Sequence, residues 1–546
     1  MHNSEGDSEI LLTGSRVYTA DPINPWAEAV LIRGNRLAFV GREADARALA
    51  GSAAEHIHTS GGLVLPGFNE SHVHMTLGSH ALGILNLAGA LTFAAMEDRL
   101  RDYAARHPEK PWIEAYGLPY EPLSGLSVPP CKALDTIIPD RPVILNAIDY
   151  HSSWVNSAAL RLAGIERGAE LPLPNEVVVD ADGFATGMLK ERLAHDCVLR
   201  HIAEPTEAQK DDALRRAMQY LNSLGITSVQ NMDGDLERLL QYERLRGRGE
   251  LSVRASHYLN IRRAAHRDRL PEFAELTRKY SDDWNFTNGI KLFIDGVVEA
   301  KTALMLEGYS DGSGETGVPD MELEAYHDIV VEADRLNIDV ATHAIGDRGV
   351  RLTLDAYEDA QRAHGGSRNR RHRVEHIEVG NPTDIPRFAR LGVTASMQPY
   401  HAVPGVDPDV ATWAKMVGAA RVPYAFPWRR LLEAGAAMSF GSDWPVVTPD
   451  VRDGLRAAVA RECVVNADSG GWQPQQCVSL AQALDAYTSG GAYAEHREQS
   501  KGKLTAGFLA DVTVLGGNLF KLRPSEYVAV PVQLTILDGR VVHRAG

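Results

Sequence analysis

Eight β-rich runs, most of the later ones separated by amphipathic segments, constrain this chain more than any other feature. In chain order they are LVLPGFNESHVHM, TSVQNM, VRASHYL, IKLFIDG, DVATHAIGD, RVEHIEV, VTASMQP and AMSFGSDWP. Between several of them lie stretches such as LEAYHDIVVEADRLN and GVRLTLDAYEDAQRAH, whose apolar residues recur at three- and four-residue steps, the helical period. Alternating strands and helices build a parallel sheet or barrel. The first gap is far longer than one βα unit needs. Residues about 76–224 are therefore read as an insertion, with strand-like WIEAYGLP and RPVILNAID inside it.

The two ends resemble each other more than they resemble the middle. Residues 9–65 and the C-terminal segment are built of short strand-like runs, with hairpin cues at RGNR and LDGR. We read residues 1–65 plus 503–546 as one small all-β domain, and 66–502 as the strand–helix body that carries the insertion.

Composition removes several function classes. Net charge is −16 and no Lys/Arg-rich run occurs, so nucleic acid and anionic membrane partners are not expected. No apolar stretch approaches the roughly 18 residues of a membrane span, and the opening MHNSEGDSEI does not read as a secretory signal. The four cysteines, Cys131, Cys197, Cys463 and Cys477, form no CxxC pair, which argues against a disulfide scaffold and a thiolate metal site. A cytoplasmic protein with reduced thiols is the expectation.

The sharpest local signal is His72-Val73-His74 at the end of an apolar run. On a strand, residues i and i+2 share a face, so both imidazoles could meet one metal. The spacing alone is weak, because His56-Ile57-His58 repeats it inside the terminal β-domain, where no partners stand at matching strand ends. Around His72 and His74 partners do exist. Later strand ends offer His343, His376 and Asp443, the nitrogen and carboxylate ligands of catalytic metal sites, and a parallel barrel carries its reactive groups at such ends. Lys291, in apolar surroundings, must be neutralised, paired with a carboxylate such as Asp295, or modified. Addition of carbon dioxide would make it a carbamate, an anionic bridging ligand. Arg373 lies an odd number of residues from His376, so it is expected to face away from the metals and to serve a structural salt bridge.

PGFNESHVH, followed by KLFIDG with KTA, HAIGDR, RHRVEH, SMQP and GSDWPV, resembles the amidohydrolase superfamily, and more narrowly its family 3, YtcJ-like branch. DYHSSWVNSAAL and GKLTAGFLADVTVL fit the same branch, so the resemblance spans essentially the whole chain. It implies a (β/α)₈ TIM barrel beside a β-sandwich built from both termini. It also implies a metal-activated water, with zinc as the expected divalent ion and two ions rather than one. His72, His74 and Asp443 would hold one, His343 and His376 the second, with carboxylated Lys291 between them. Asp443 would be the general base; in mononuclear relatives His376 contacts the water or substrate.

The reaction expected by resemblance is hydrolysis of a C–N amide-type bond in a small molecule, an N-substituted formamide or other N-acyl amine. A carbamate or ester hydrolase, a deaminase and a non-catalytic binding relative are the alternatives. The HxxE arrangement usual in mononuclear deaminases is missing, since Ala344, Ile345 and Gly346 follow His343. Substrate-contact candidates are His151 in the insertion, Asp295 and Glu299 after the fourth strand, and Trp444 beside Asp443. Family habit suggests a homodimer.

Overall fold

The protein is described here from a computed structural model covering residues 8–262, 264–366, 369–403, 412–462 and 470–546. Cys463 lies outside the described residues.

An eight-stranded parallel barrel occupies the centre. Counting barrel strands only, β1 is Phe68–Val73, β2 Ile226–Gly234, β3 Arg254–Asn260 and β4 Asn285–Phe293. β5 is Asp339–Ala344, β6 Arg373–His376, β7 Thr394–Met397 and β8 Met438–Phe440. Each pairs in parallel with its sequence neighbour. Closure between β8 and β1 falls just beyond the strand ends. There Asp443 N–H donates to the His72 carbonyl (2.7 Å) and His74 N–H to the Trp444 carbonyl (2.9 Å). Gly441 makes this seam possible, because a Cβ there would lie 2.5 Å from the His72 nitrogen.

Helices cover the barrel where the apolar period requires. Leu323–Arg335 and Asp347–His364 bury Tyr326, Ile329, Val330, Ala333 and Val350, Leu354, Tyr357, the i, i+3, i+4 and i+7 positions of one face. The insertion forms a separate six-stranded sheet spanning Leu85–Asn86 to Ala185–Lys190, with its own apolar clusters. It is shorter than the sequence suggested. Helix Glu207–Ser223, closed at its start by a Thr206/Gln209 capping box, packs Leu214, Ala217, Met218 and Leu221 into the barrel's core.

Strands from both chain ends share a sheet, in which Leu63–Pro66 runs antiparallel to Val512–Leu515. A four-stranded sheet from residues 9–58 faces it across Ile10, Leu12, Val30, Ile32, Val514 and Ile536. Buried Arg254, on β3, joins this layer to the barrel through Asp511 (2.7 Å) and Asp538 (2.8 Å). Among the described residues, no helix is long and apolar enough to cross a membrane.

Candidate metal centre

Strand register carries His72, Lys291, His343, His376 and Asp443 to the C-terminal mouth of the barrel. One ligand atom each from His72, His376 and Asp443 lies within 4.8 Å of the others, and all three side chains are buried. His72 Nε2 stands 3.3 Å and His74 Nε2 3.1 Å from the same Asp443 Oδ1. Despite these distances, His72 Nε2, His376 Nδ1 and Asp443 Oδ1 have no hydrogen-bond partner among the described residues. Buried polar atoms are rarely left unmatched. Lone-pair atoms that converge without hydrogen-bond geometry are what a cation-binding centre needs, so the residues fit a divalent metal.

The protonation states agree with that fit. His343 and His376 are held well below the ordinary imidazole range, first by burial and then by neighbouring cationic groups, which leaves them neutral. Burial opposes ionisation of Asp443, but His72 and His74 outweigh it and hold its carboxyl well below the usual range.

His72 is aimed from behind. Its Nδ1 donates to Glu375 Oε2 (2.6 Å), which turns Nε2 toward the mouth, the second-shell arrangement typical of metal-bound histidines. Glu375 is itself gripped by the Arg373 guanidinium, which also donates to the Ser71 carbonyl (2.6 Å), Ser396 Oγ (2.6 Å) and Gln230. Arg373 is thus inside the barrel, beneath the centre, and this corrects the parity argument. Strand alternation breaks at His376, whose φ is +75° with Ile377 at +52°. Glu375 and His376 can then both serve the interior. Asp443 is likewise a non-glycine residue at positive φ (+61°), and such backbone concentrates at functional sites. The Arg373–Glu375 salt bridge does form, fully buried.

Lys291 Nζ is fully buried and makes no hydrogen bond among the described residues. Burial draws its pKa down to about 8, against the opposing pull of Glu375 and Asp443. Asp295 does not pair with it. Instead the Asp295 carboxylate accepts backbone N–H groups of Leu304 (2.9 Å), Ile345 (3.0 Å) and Gly346 (3.0 Å). That geometry assigns Asp295 to folding the loop after β4 over β5. Gly346 belongs to the same device, since a Cβ there would strike the Leu304 carbonyl.

His343 stands beside the trio, its ring 4.4 Å from that of His376, and its Nε2 donates to the Gly296 carbonyl (3.2 Å). His151 reaches the same place from the insertion: its ring is 5.6 Å from that of His343, and Nδ1 is 2.9 Å from Glu191 Oε2. Burial disfavours the charged ring of His151, but Glu191 overrides it and raises the pKa to about 9. Glu299 is half-buried near the mouth, its pKa pushed up to about 8 by burial and by the Glu378 and Asp149 carboxylates. Trp444 is buried. Its indole fills the space over Gly78 and faces Tyr220 at 5.9 Å.

Sequence reading missed Glu375, Glu191 and Arg262. A visible signal existed for the first: Arg373 and Glu375 sit two apart in an apolar strand, hence on one face.

A parallel barrel with histidines and a carboxylate converging at its strand ends defines a class, the metal-dependent hydrolase barrels. Within that class the chain belongs to the amidohydrolase family, whose model matches residues 56–543. It is 28% identical to the putative amidohydrolase YtcJ of Bacillus subtilis (strain 168), over 97% of this chain and 98% of that one. With N-substituted formamide deformylase of Arthrobacter pascens it shares 26% identity over 97% of each chain. An uncharacterized metal-dependent hydrolase from Pyrococcus horikoshii superimposes with a TM-score of 0.74 at 25% identity, covering 95% of this chain and 99% of that one.

Proposed function

We propose that this hydrolase cleaves a C–N amide-type bond in a small N-substituted formamide or other N-acyl amine. The observation that carries the reading is the buried convergence of His72, His376 and Asp443 with their ligand atoms unpartnered. The full-length similarity to a formamide deformylase supports the choice of bond.

His72, His74 and Asp443 would hold one divalent ion, and His343 with His376 a second, with Lys291 between them as a carbamate. The fully buried, unpartnered Nζ suits that modification: its neutral amine adds to carbon dioxide and releases one proton. Zinc is the ion we expect. Ions bound there would polarise the substrate carbonyl and acidify water.

The chain's own residues do the rest. Asp443, ionised at neutral pH, accepts the proton that water loses as it attacks the carbonyl carbon. The C–N bond then breaks, and the same carboxyl returns that proton to the departing amine, so one water is consumed per acid and amine formed. His376, neutral and beside Asp443, offers its lone pair to the second ion; with a single ion bound it would contact the water or the substrate instead. Glu375 and Arg373 keep His72 from rotating away.

Amine release from N-formyl, N-acetyl and longer N-acyl amines, with zinc-loaded protein, tests the reading. Turnover strongest on formamides is expected. Cleavage of esters or carbamates with no amide hydrolysed would overturn it. Metal analysis after zinc loading in bicarbonate is expected to find two ions per chain, and a single ion would count against the carbamate.

A further inference from the structure

Arg262 follows β3 by two residues and stands at the barrel mouth. Its guanidinium lies 3.5 Å over the centroid of the Phe293 ring, and Phe293 stacks on His343 at 5.3 Å and 28°. One aromatic ring thus separates this cation from a candidate metal ligand. Arg262 is half-buried, and its Nε is buried with no hydrogen-bond partner. Among the described residues no carboxylate comes within ion-pair distance, although Asp320 and Glu191 are near enough to be felt electrostatically. Glu191 is already engaged by His151 (2.9 Å) and Thr302 (3.1 Å).

Two other buried arginines have carboxylate partners. Arg254 has Asp511 and Asp538, and Arg373 has Glu375. Arg461, sealed in the core, donates from Nη2 to the carbonyls of Ala425 (3.2 Å) and Phe426 (2.6 Å), and its Nε and Nη1 find no partner among the described residues. Arg262 alone among these is partly open to solvent, and among the described residues it has neither a carboxylate nor a carbonyl partner. Stacking on a ring satisfies the face of a guanidinium but not its in-plane N–H donors. Such a fork, held flat and partly desolvated, matches a carboxylate in bidentate fashion.

We propose that Arg262 recognises a carboxylate carried by the substrate, so that the preferred amides are anionic and bear that group a few bonds from the scissile carbonyl. This rests on the amide-hydrolase reading. Asp443 would move the proton at the scissile carbonyl, while Arg262 anchors the distal charge and sets the register of the substrate between them.

Two measurements on zinc-loaded protein test the proposal. In the first, calorimetry compares two hydroxamates that are identical except that one ends in a carboxylate and the other in a carboxamide. Wild type is expected to bind the carboxylate form about 10–100-fold more tightly. That preference should vanish in Arg262→Gln and survive in part in Arg262→Lys, with zinc content and circular dichroism unchanged. No preference in wild type, or equal weakening of both ligands in Arg262→Gln, overturns the proposal. Should Arg262→Gln fail to fold, a full wild-type preference in Arg262→Lys would overturn it as well, because a lysine cannot reproduce the planar fork.

The second measurement is kcat/KM on matched anionic and neutral amides. Hydrolysis of both sets at equal rates by wild type and Arg262→Gln sinks the role of Arg262 and leaves the hydrolase standing. A carboxylate preference in binding, with no amide of either set hydrolysed, sinks the amide reading and leaves Arg262.

Discussion

Two copies of one tripeptide pattern, His56-Ile57-His58 and His72-Val73-His74, lie close together in the sequence and end in different chemistry. The first occupies Glu55–His58, the edge strand of a four-stranded sheet, where both imidazoles are exposed. They share a hydroxyl, Thr13 Oγ1, at 2.8 and 3.4 Å. The second pair closes the barrel, where His72 is fully buried between Glu375 behind and Asp443 in front. The comparison teaches that spacing supplies only two nitrogens on one side of a strand. A metal centre further requires exclusion of water, an anionic ligand and a partner that locks the ring.

The largest effect should come from the carboxylate that only the second pair possesses. Asp443→Asn is expected to lower kcat by about 10²–10⁴-fold, the usual weight of a positioned acid–base group, with circular dichroism unchanged. Full activity in that variant would show that another group takes the proton. Next come the histidines themselves. His72→Ala should lose stoichiometric zinc on gel filtration, whereas His56→Ala and His58→Ala should retain wild-type zinc and turnover; equal losses at both pairs would erase the distinction.

Glu375→Gln tests the support rather than the ligand. Zinc affinity should fall by about 10–100-fold. Because the change also strands the buried Arg373, urea denaturation should show a loss on the order of 3–5 kcal/mol. Unchanged zinc affinity would mean that Glu375 serves the fold alone.

The smallest effect concerns a histidine with a carboxylate but no metal partners. His496 sits 2.6 Å from Asp339, at the start of β5. Burial would raise the Asp339 carboxyl, but His496, Arg370 and His372 together lower it. A depressed carboxylate contributes stability above its unfolded pKa of about 4, and that contribution disappears as pH falls through the lower folded value. His496→Gln should therefore reduce Tm at pH 6 by a few degrees, with the deficit shrinking on acidification. A deficit independent of pH would point to lost packing instead.

Much of this was legible before any coordinates. The eight strands and the composite terminal sheet could be read from period and strand ends, and His72, His74, Lys291, His343, His376 and Asp443 could be named as candidates from strand ends and resemblance. Arg373 could not be placed, because the alternation rule assumes unbroken extended backbone, and His376 and Ile377 leave it with positive φ. Asp295 looked like a group over the site, whereas three backbone N–H donors had already claimed it. Trp444 adjoins the candidate base in sequence, and its indole packs over Gly78.

What the sequence by itself determined was the set of elements and the chemistry on offer, because period, turn residues and side-chain type are local properties. Tertiary structure alone decided which groups share a charge environment. The fold brings Glu375 to His72 across 303 positions and His151 to Glu191 across 40, and it sets Arg262 over Phe293 with no carboxylate of the described residues in ion-pair contact. Electrostatic and hydrogen-bond energies depend on distance and burial in space, and neither quantity is written in the order of the residues.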